Sequence, residues 1–235
     1  PLINELKTNT VMQERNVLMQ LLREFGDLQQ PLLIQELRAN NPWYVYRNLL
    51  QVLAEVGTEE SLAAIGEKIT HSDPRVRAES VMAAAKVAKA NAAIYIIQGL
   101  EDPDVNVRAR AATMVSFCPE DRVLNALLPL LQSRFGKEES DSVQLTAVLG
   151  LGYFNQDEAR DALRQIVHPR LFSPYRKKSD EVRAAAITAL AQHLPNHAAE
   201  ETIKHAQSDR CPAVRQNAQR VWHQYQVRQN SEATR

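Results

Sequence analysis

The chain has 235 residues, with 28 basic and 28 acidic side chains, so its formal charge is zero. At roughly 150 residues per domain it holds one or two domains. The neutral balance argues against a strongly basic nucleic-acid or membrane-surface binder, though it leaves room for a local patch. Hydrophobic residues make up 44%, too many for global disorder. The longest apolar runs, 32–34 and 126–131 with Pro129 inside it, fall far short of the roughly 20 residues that a membrane-spanning helix needs. Glycine is scarce, at seven residues, and alanine abundant, at thirty. Alanine is the strongest helix former, so composition leans towards all-α. Two cysteines, Cys118 and Cys211, are too few for a disulfide framework and point to a reducing, cytoplasmic setting. The opening residues lack the charged head and apolar run of a signal peptide.

One pattern recurs along the chain. It is weak at Gln13-Glu14-Arg15-Asn16 and clear at Pro42-Trp43-Tyr44-Val45-Tyr46-Arg47-Asn48. It returns at Asp73-Pro74-Arg75-Val76-Arg77-Ala78 and Asp102-Pro103-Asp104-Val105-Asn106-Val107-Arg108. A weaker copy at Asp141-Ser142-Val143-Gln144 puts Gln where Arg is expected, and two more follow at Asp180-Glu181-Val182-Arg183 and Cys211-Pro212-Ala213-Val214-Arg215. The anchors 15, 47, 77, 108, 144, 183 and 215 are spaced by 32, 30, 31, 36, 39 and 32 residues. A period near 31 held over seven copies is the signature of a solenoid.

Each copy has the same physical grammar. Asp73, Asp102 and Asp180 are placed to accept hydrogen bonds from the free N–H groups of a helix start, and Pro74 and Pro103 suit the first helical position. Apolar residues then recur at helical spacing: Val76, Val81 and Ala84; Val107, Ala111 and Val115; Val182, Ala186 and Leu190. A second apolar helix precedes each such segment, predicted at 31–38, 60–70, 92–100, 121–132, 157–167 and 198–207. Gly26, Gly57, Pro119, Asn155 and Pro195 punctuate the turns. Neither helix of such a hairpin buries its apolar face alone, so neighbours stack. The predicted repeats are 1–27, 28–57, 58–88, 89–119, 120–154, 155–195 and 196–228, a single solenoid over 1–228, followed by a disordered tail at 229–235. In the last helix Trp222 and Tyr225 are expected to pack inward. Glu5-Leu6-Lys7-Thr8-Asn9 aligns with Glu36-Leu37-Arg38-Ala39-Asn40. The chain is therefore expected to open inside a first helix without a polar capping repeat, as a module of a larger protein or with something packed on that end.

The helical pair of about 31 residues and the Asp-Pro-x-Val-Arg start of its second helix resemble the HEAT-repeat family, over about residues 1–227. The short, Ala-rich form is most similar to bacterial HEAT proteins, including relatives of phycobilin lyase subunits. The resemblance implies a right-handed α-solenoid of about seven hairpins. It puts the helices beginning near Val11, Pro42, Pro74, Val105, Ser142, Glu181 and Pro212 on the inner layer. It also implies an Asp–Arg ladder between repeats, read here as Asp73, Asp102 and Asp180 with Arg77, Arg108 and Arg183, for which the planar guanidinium is suited.

Signals for catalysis are weak. Neither a phosphate-binding loop nor a nucleophile elbow is present. Gly150-Leu151-Gly152 falls at a helix end, where packing accounts for it. No Cys-x-x-Cys suggests zinc, and Cys118 and Cys211 lie about three hairpins apart, too far to bridge. His193 and His197 are separated by helix-breaking Pro195, so a metal pair is not expected. Di-iron hydroxylases built on HEAT repeats use His-Glu dipeptides, and this sequence has none. No metal, cofactor or catalytic residue is assigned.

The groove face is read as Asn48, Leu49 and Val52; Ala78, Glu79 and Met82; Ala109, Arg110 and Thr113; Leu145, Thr146 and Leu149; Ala184, Ala185 and Thr188; Gln216, Asn217 and Arg220. That mixed, partly apolar face suits a protein helix or peptide better than phosphates. The two long spacings mark insertions at 133–141 and 168–179, and insertions in repeats often reach binding faces. The second carries Arg170, Phe172, Tyr175, Arg176, Lys177 and Lys178, the aromatic-plus-Arg composition of interface hot spots. Trp43-Tyr44-Val45-Tyr46 reads more simply as core. The expected function is a non-catalytic scaffold or adaptor. Its partner is another protein or another domain of the parent chain, with Arg110, Leu145 and the 170–178 residues as anchors. The competing reading is an enzyme or enzyme subunit, lyase-like or DNA-glycosylase-like. A strongly positive groove with Arg and Trp converging on one pocket would favour base excision, and a deep apolar cavity would favour the lyase class.

Overall fold

The computed structural model describes residues 2–9, 11–132, 139–175 and 178–233. Among the described residues there is no strand, and fourteen α-helices run in seven consecutive pairs. They are α1 (Leu2–Thr8) with α2 (Met12–Glu24), α3 (Gly26–Arg38) with α4 (Trp43–Val56), and α5 (Glu59–Glu67) with α6 (Pro74–Ala88). Next come α7 (Ala93–Leu100) with α8 (Val105–Thr113), and α9 (Asp121–Leu127) with α10 (Asp141–Leu151). The last are α11 (Asp157–Val167) with α12 (Asp180–Leu190), and α13 (His197–Ala206) with α14 (Pro212–Ala233). The predicted second helices begin within one residue of where they are observed. No described helix is long and apolar enough to cross a membrane.

Local chemistry explains where the boundaries differ. Pro129 lacks an N–H and crowds the carbonyl four residues back, so α9 stops at Leu127 and residues 128–131 tighten into a 3₁₀ turn. Around α8 the cap is Asp104, accepting from the N–H groups of Asn106 and Val107 at 2.8 and 3.4 Å, not Asp102. At α12 it is Ser179, accepting from Val182 N–H, not Asp180. Asp73 does cap α6 through the Arg75 N–H at 2.9 Å, with Pro74 in the first turn. Beyond Gln229 the expected tail continues α14 as helix to Ala233. Within α14 it is Val214, Ala218 and Val221 that are buried, while Trp222 and Tyr225 are half-buried, with ring centroids 5.4 Å apart.

Where the sequence suggests one continuous solenoid, the helices group into two compact units, Pro1–Cys118 and Pro119–Arg235. In the first, α2 packs on α4, α4 on α6 and α6 on α8, with α3 on α5 behind them. Its core includes Leu22, Leu33, Leu49, Leu53, Ile65, Ile96 and Leu100, with the small residues Ala83, Ala84, Ala85 and Ala111 letting helices approach closely. Gly99 sits at one such approach. A Cβ there would lie 2.8 Å from the Ala111 Cβ and 2.9 Å from a Val81 methyl. In the second unit α10 packs on α12, α12 on α14, and α11 on α13. Phe154 is the largest fully buried side chain there, with Leu127, Leu163, Ile187 and Leu190 also buried.

The repeat anchor has two duties. Its guanidinium first closes the turn leading into its own helix: Arg77 Nη1 donates to the His71 and Ser72 carbonyls at 3.0 and 3.2 Å. Arg108 does the same with Asp102 and Pro103 at 2.8 and 2.9 Å, and Arg215 with Asp209 and Arg210 at 2.8 and 3.4 Å. Gln144 keeps this first duty, its Nε2 donating to the Glu139 carbonyl at 2.6 Å. The second duty reaches the next repeat. Arg77 forks onto Asp102 with both contacts at 2.8 Å, and Arg183 reaches Asp209 at 2.6 Å.

The residue six before the anchor is thus the ladder acceptor, and it also fixes its own turn. Asp102 Oδ1 accepts from Asp104 N–H at 2.8 Å and Asp209 Oδ1 from Cys211 N–H at 2.9 Å. Asn9 and His71 take the same turn role, accepting from Val11 and Asp73 N–H groups. Of the predicted ladder, Asp102, Arg77 and Arg183 hold. Arg108 is observed closing its own turn. Asp73 instead pairs with Arg75 in its own helix, and Asp180 with Arg183 three residues on, because both stand too close to the helix start to reach a neighbouring repeat. Asp209 is the acceptor that the sequence reading missed.

Removing one partner of a largely buried ion pair leaves the other charge uncompensated. Asp102→Ala is expected to cost about 3 kcal/mol in urea unfolding, against about 1 kcal/mol for the cap variant Asp73→Ala. Gly99→Ala is expected to cost about 1–3 kcal/mol by overpacking against Val81 and Ala111.

Candidate functional site

The first unit has an open cleft of about 250 Å³ along the starts of α4, α6 and α8. Trp43 forms its aromatic wall. The Arg75 guanidinium lies 3.9 Å from the indole centroid and that of Arg47 lies 5.3 Å away, both within cation–π range. Arg75 is itself held by a fork onto Asp73, at 3.0 and 2.7 Å. This hydrogen bonding keeps the Asp73 carboxyl below the usual carboxylate range. Arg110 approaches Glu79 at 3.6 Å on the far side, and Asp104 and Asn106 complete the rim.

Arg47 is in the cleft because its anchor duties are taken by others. In this repeat the Tyr46 hydroxyl donates to the Ala39 carbonyl at 2.7 Å and accepts from Asn41 N–H at 3.2 Å. Asn41 Nδ2 donates to the Glu36 carbonyl at 2.7 Å. Arg47 makes a single 3.3 Å bond to Asn48 Oδ1. Its buried Nε lacks a hydrogen-bond partner, as does the buried Glu79 Oε2. In the lining Arg47, Arg75 and Arg110 face Glu79 and Asp104, and Asp73 beside the cleft holds Arg75, so there is no large excess of cations.

The other expected anchors lie in the second unit. Leu145 is half-buried on α10 and Lys178 is half-buried, while Arg170 is exposed. Phe172 and Tyr175, read as a pair, separate: Phe172 is 90% exposed and Tyr175 only 7%. The Tyr175 hydroxyl accepts from Gln132 Nε2 at 3.4 Å, so it pins the turn and is not available as a partner anchor. Arg176 and Lys177 lie outside the described residues, as do 133–138 of the first insertion. From α6 onward the residues read as the groove face are exposed or half-buried, whereas Asn48, Leu49 and Val52 are buried. On α4 the reading is one position late, and the half-exposed residues are Tyr44, Arg47 and Gln51. Trp43, read as core, is half-buried and lines the cleft.

A second cleft in the second unit is lined by His168, Asp180, Arg183, His205, Asp209, Arg210 and Cys211. The His168 and His205 rings stack with centroids 4.4 Å apart. Burial, then the neighbouring His205, pushes the His168 pKa down, and burial with Arg160 does the same for His193. Among the described residues no group of three His, Cys, Asp or Glu side chains is arranged to hold a metal ion.

Antiparallel helix pairs stacked at a 31-residue period define a helical-repeat protein of the α-solenoid class. Residues 31–113, from within α3 to the end of α8, match the family model for HEAT repeats, so HEAT repeats occupy that stretch. Among solved structures, an engineered protein is similar at 18% identity, with a TM-score of 0.45, over 94% of this chain and 93% of that one. Human deoxyhypusine hydroxylase in complex with glycerol is similar at 14% identity, with a TM-score of 0.41, over 96% of this chain and 95% of that one. A computationally designed armadillo repeat protein for modular peptide recognition is similar at 14% identity, with a TM-score of 0.41, over 94% and 97%. No match is found among curated proteins.

The lowered histidine pKa values set a pH window. Unfolded histidine, with a reference value of 6.5, takes up a proton before either folded ring does. Stability is therefore fully present above about pH 6.5 and declines as the pH falls below it. Tm is expected to drop between about pH 7 and about pH 5. His168→Phe, which keeps a ring against His205, should lessen the slope. The depressed Asp73, Asp102 and Asp209 act separately, their contribution being lost below about pH 3.8.

Proposed function

We propose that the chain is a non-catalytic interaction scaffold, working in the cytoplasm, whose first-unit cleft takes an extended segment of another protein or of another domain of its parent chain. The observation that carries this reading is an open cleft in which the Trp43 indole shelf, stacked by Arg75 and Arg47, stands beside side-chain donors and acceptors of the rim, Asn106, Arg110 and Asp104. A peptide backbone offers one C=O and one N–H per residue, which suits the exposed donor Arg110 and the rim acceptor Asp104. Trp and Arg are the residues enriched at interface hot spots. Phosphate binding requires an excess of cations, and two of the three arginines here are already engaged, Arg75 by Asp73 and Arg110 by Glu79.

One feature favours the base-excision reading, since Arg and Trp do converge on one pocket. The engagement of Arg75 and Arg110 by carboxylates weighs against it, and the open, mixed lining of the pocket weighs against a tetrapyrrole site. Panning a peptide-display library against the whole chain separates these readings. Peptides are expected to be enriched that lose about tenfold or more in affinity with Trp43→Ala or Arg110→Glu. Enriched peptides indifferent to both variants would overturn the cleft assignment. Duplex DNA binding that falls steeply with salt and depends on Trp43 would transfer the site to the nucleic-acid class.

A further inference from the structure

The turn at 168–175 in the second unit carries Leu171 and Phe172, which are 75% and 90% exposed, the most exposed large apolar side chains among the described residues. Consecutive apolar side chains held in water forgo burial that a flexible loop would readily gain by folding back. Here the turn is fixed from below. Ser173 N–H donates to the Arg170 carbonyl at 3.0 Å, and Ser173 Oγ donates to Gln165 Oε1 at 2.8 Å. Tyr175 N–H donates to Ser173 Oγ at 3.2 Å, and the Tyr175 ring is buried. Pro169 and Pro174 further restrict the backbone on either side. The protein thus buries one aromatic of the turn and props the other outward.

The charge around this tip departs from the neutral average. Among the described residues of 162–175 there is no acid, and the cations are Arg164 and Arg170. Arg164 is engaged by Asp161 and Thr202, whereas Arg170 is exposed at the tip itself. Arg210, also exposed, shares a cleft with His168 at the base of the turn. The carboxylates lining that cleft, Asp180 and Asp209, are already paired with Arg183.

We propose that this turn is a peripheral docking tip for an anionic phospholipid surface. A bilayer interface accepts a projecting Leu–Phe pair without a matching pocket, and its anionic headgroups meet Arg170 at the tip and Arg210 at the base of the turn. A protein partner would need a pocket shaped to a two-residue wedge. A nucleic acid would stack on Phe172 and leave Leu171 in water. With two apolar side chains and these two cations the attachment is weak and reversible. It lies in the other unit and does not depend on the reading of the Trp43 cleft.

The test is flotation of the full chain with phosphatidylcholine vesicles made with and without phosphatidylserine. The chain is expected to float with the phosphatidylserine vesicles only, and to be released by salt. Phe172→Ser and Leu171→Ser should each reduce partitioning by about tenfold, and Arg170→Glu by about fivefold or more. All three positions are exposed, so melting curves should match the parent, and Trp43→Ala should leave flotation unchanged. A Phe172→Trp variant should shift its emission to the blue on phosphatidylserine vesicles but not on polyglutamate. Failure to float with phosphatidylserine, or flotation insensitive to Leu171→Ser and Phe172→Ser, would overturn the proposal. So would equally tight binding of polyglutamate or duplex DNA.

Discussion

The contact from a repeat's anchor arginine to the carboxylate of the next repeat fixes the register of the stack where α6 meets α8 and where α12 meets α14. Hydrophobic burial pulls neighbouring hairpins together, but burial alone is non-directional and tolerates sliding. Asp102 removes that freedom. It receives two bonds from Arg77 and a third from the N–H of Asp104, so one carboxylate sets both the entry of α8 and its height against α6. Burial raises the Asp102 pKa, yet these donors together hold it below the ordinary carboxylate range. Asp209 repeats the arrangement with Arg183 and the Cys211 N–H. A planar fork that serves its own turn and its neighbour at once is a task for Arg and not Lys. Gln144 makes the same point by contrast: a shorter neutral amide still closes its own turn.

The repeat was fully legible in the sequence because its period lies in residues whose backbone role is fixed, the Pro, Asp and Val of a helix start. The partners were less so. Asp73 and Asp180 stand next to the anchor in sequence and attract attention, while Asp209 sits six residues upstream in a stretch without a helical pattern. The polar series Asn9, His71, Asp102 and Asp209 was available as a signal, but its members differ in chemistry and share only a backbone duty. Side-chain direction was the other loss. Nothing local distinguishes Phe172 from Tyr175, since their separation depends on Gln132, more than forty residues away. The one-position slip on α4 came from aligning to Tyr46, which is in the core and performs the arginine's work.

That substitution of duties also accounts for the Trp43 cleft. Tyr46 and Asn41 close the turn, and Arg47 is thereby released to stack near an indole. Both proposed contact sites fall where a copy departs from its own consensus: at Arg47 in the first unit, and at the long spacing before α12 in the second. A sequence search for the most typical copies passes over both.

The forward fork has a further consequence for how such a chain changes length. Donor and acceptor come from the same positions of consecutive copies, so a duplicated 31-residue segment arrives with both halves of the junction already matched. Unequal crossover at any point within the period, even mid-helix, regenerates the contact on either side of the new copy. Arrays of this kind can lengthen or shorten by whole units without passing through an unfolded ancestor. Copies with Gln at the anchor or His at the acceptor mark places where that interchangeability has been given up.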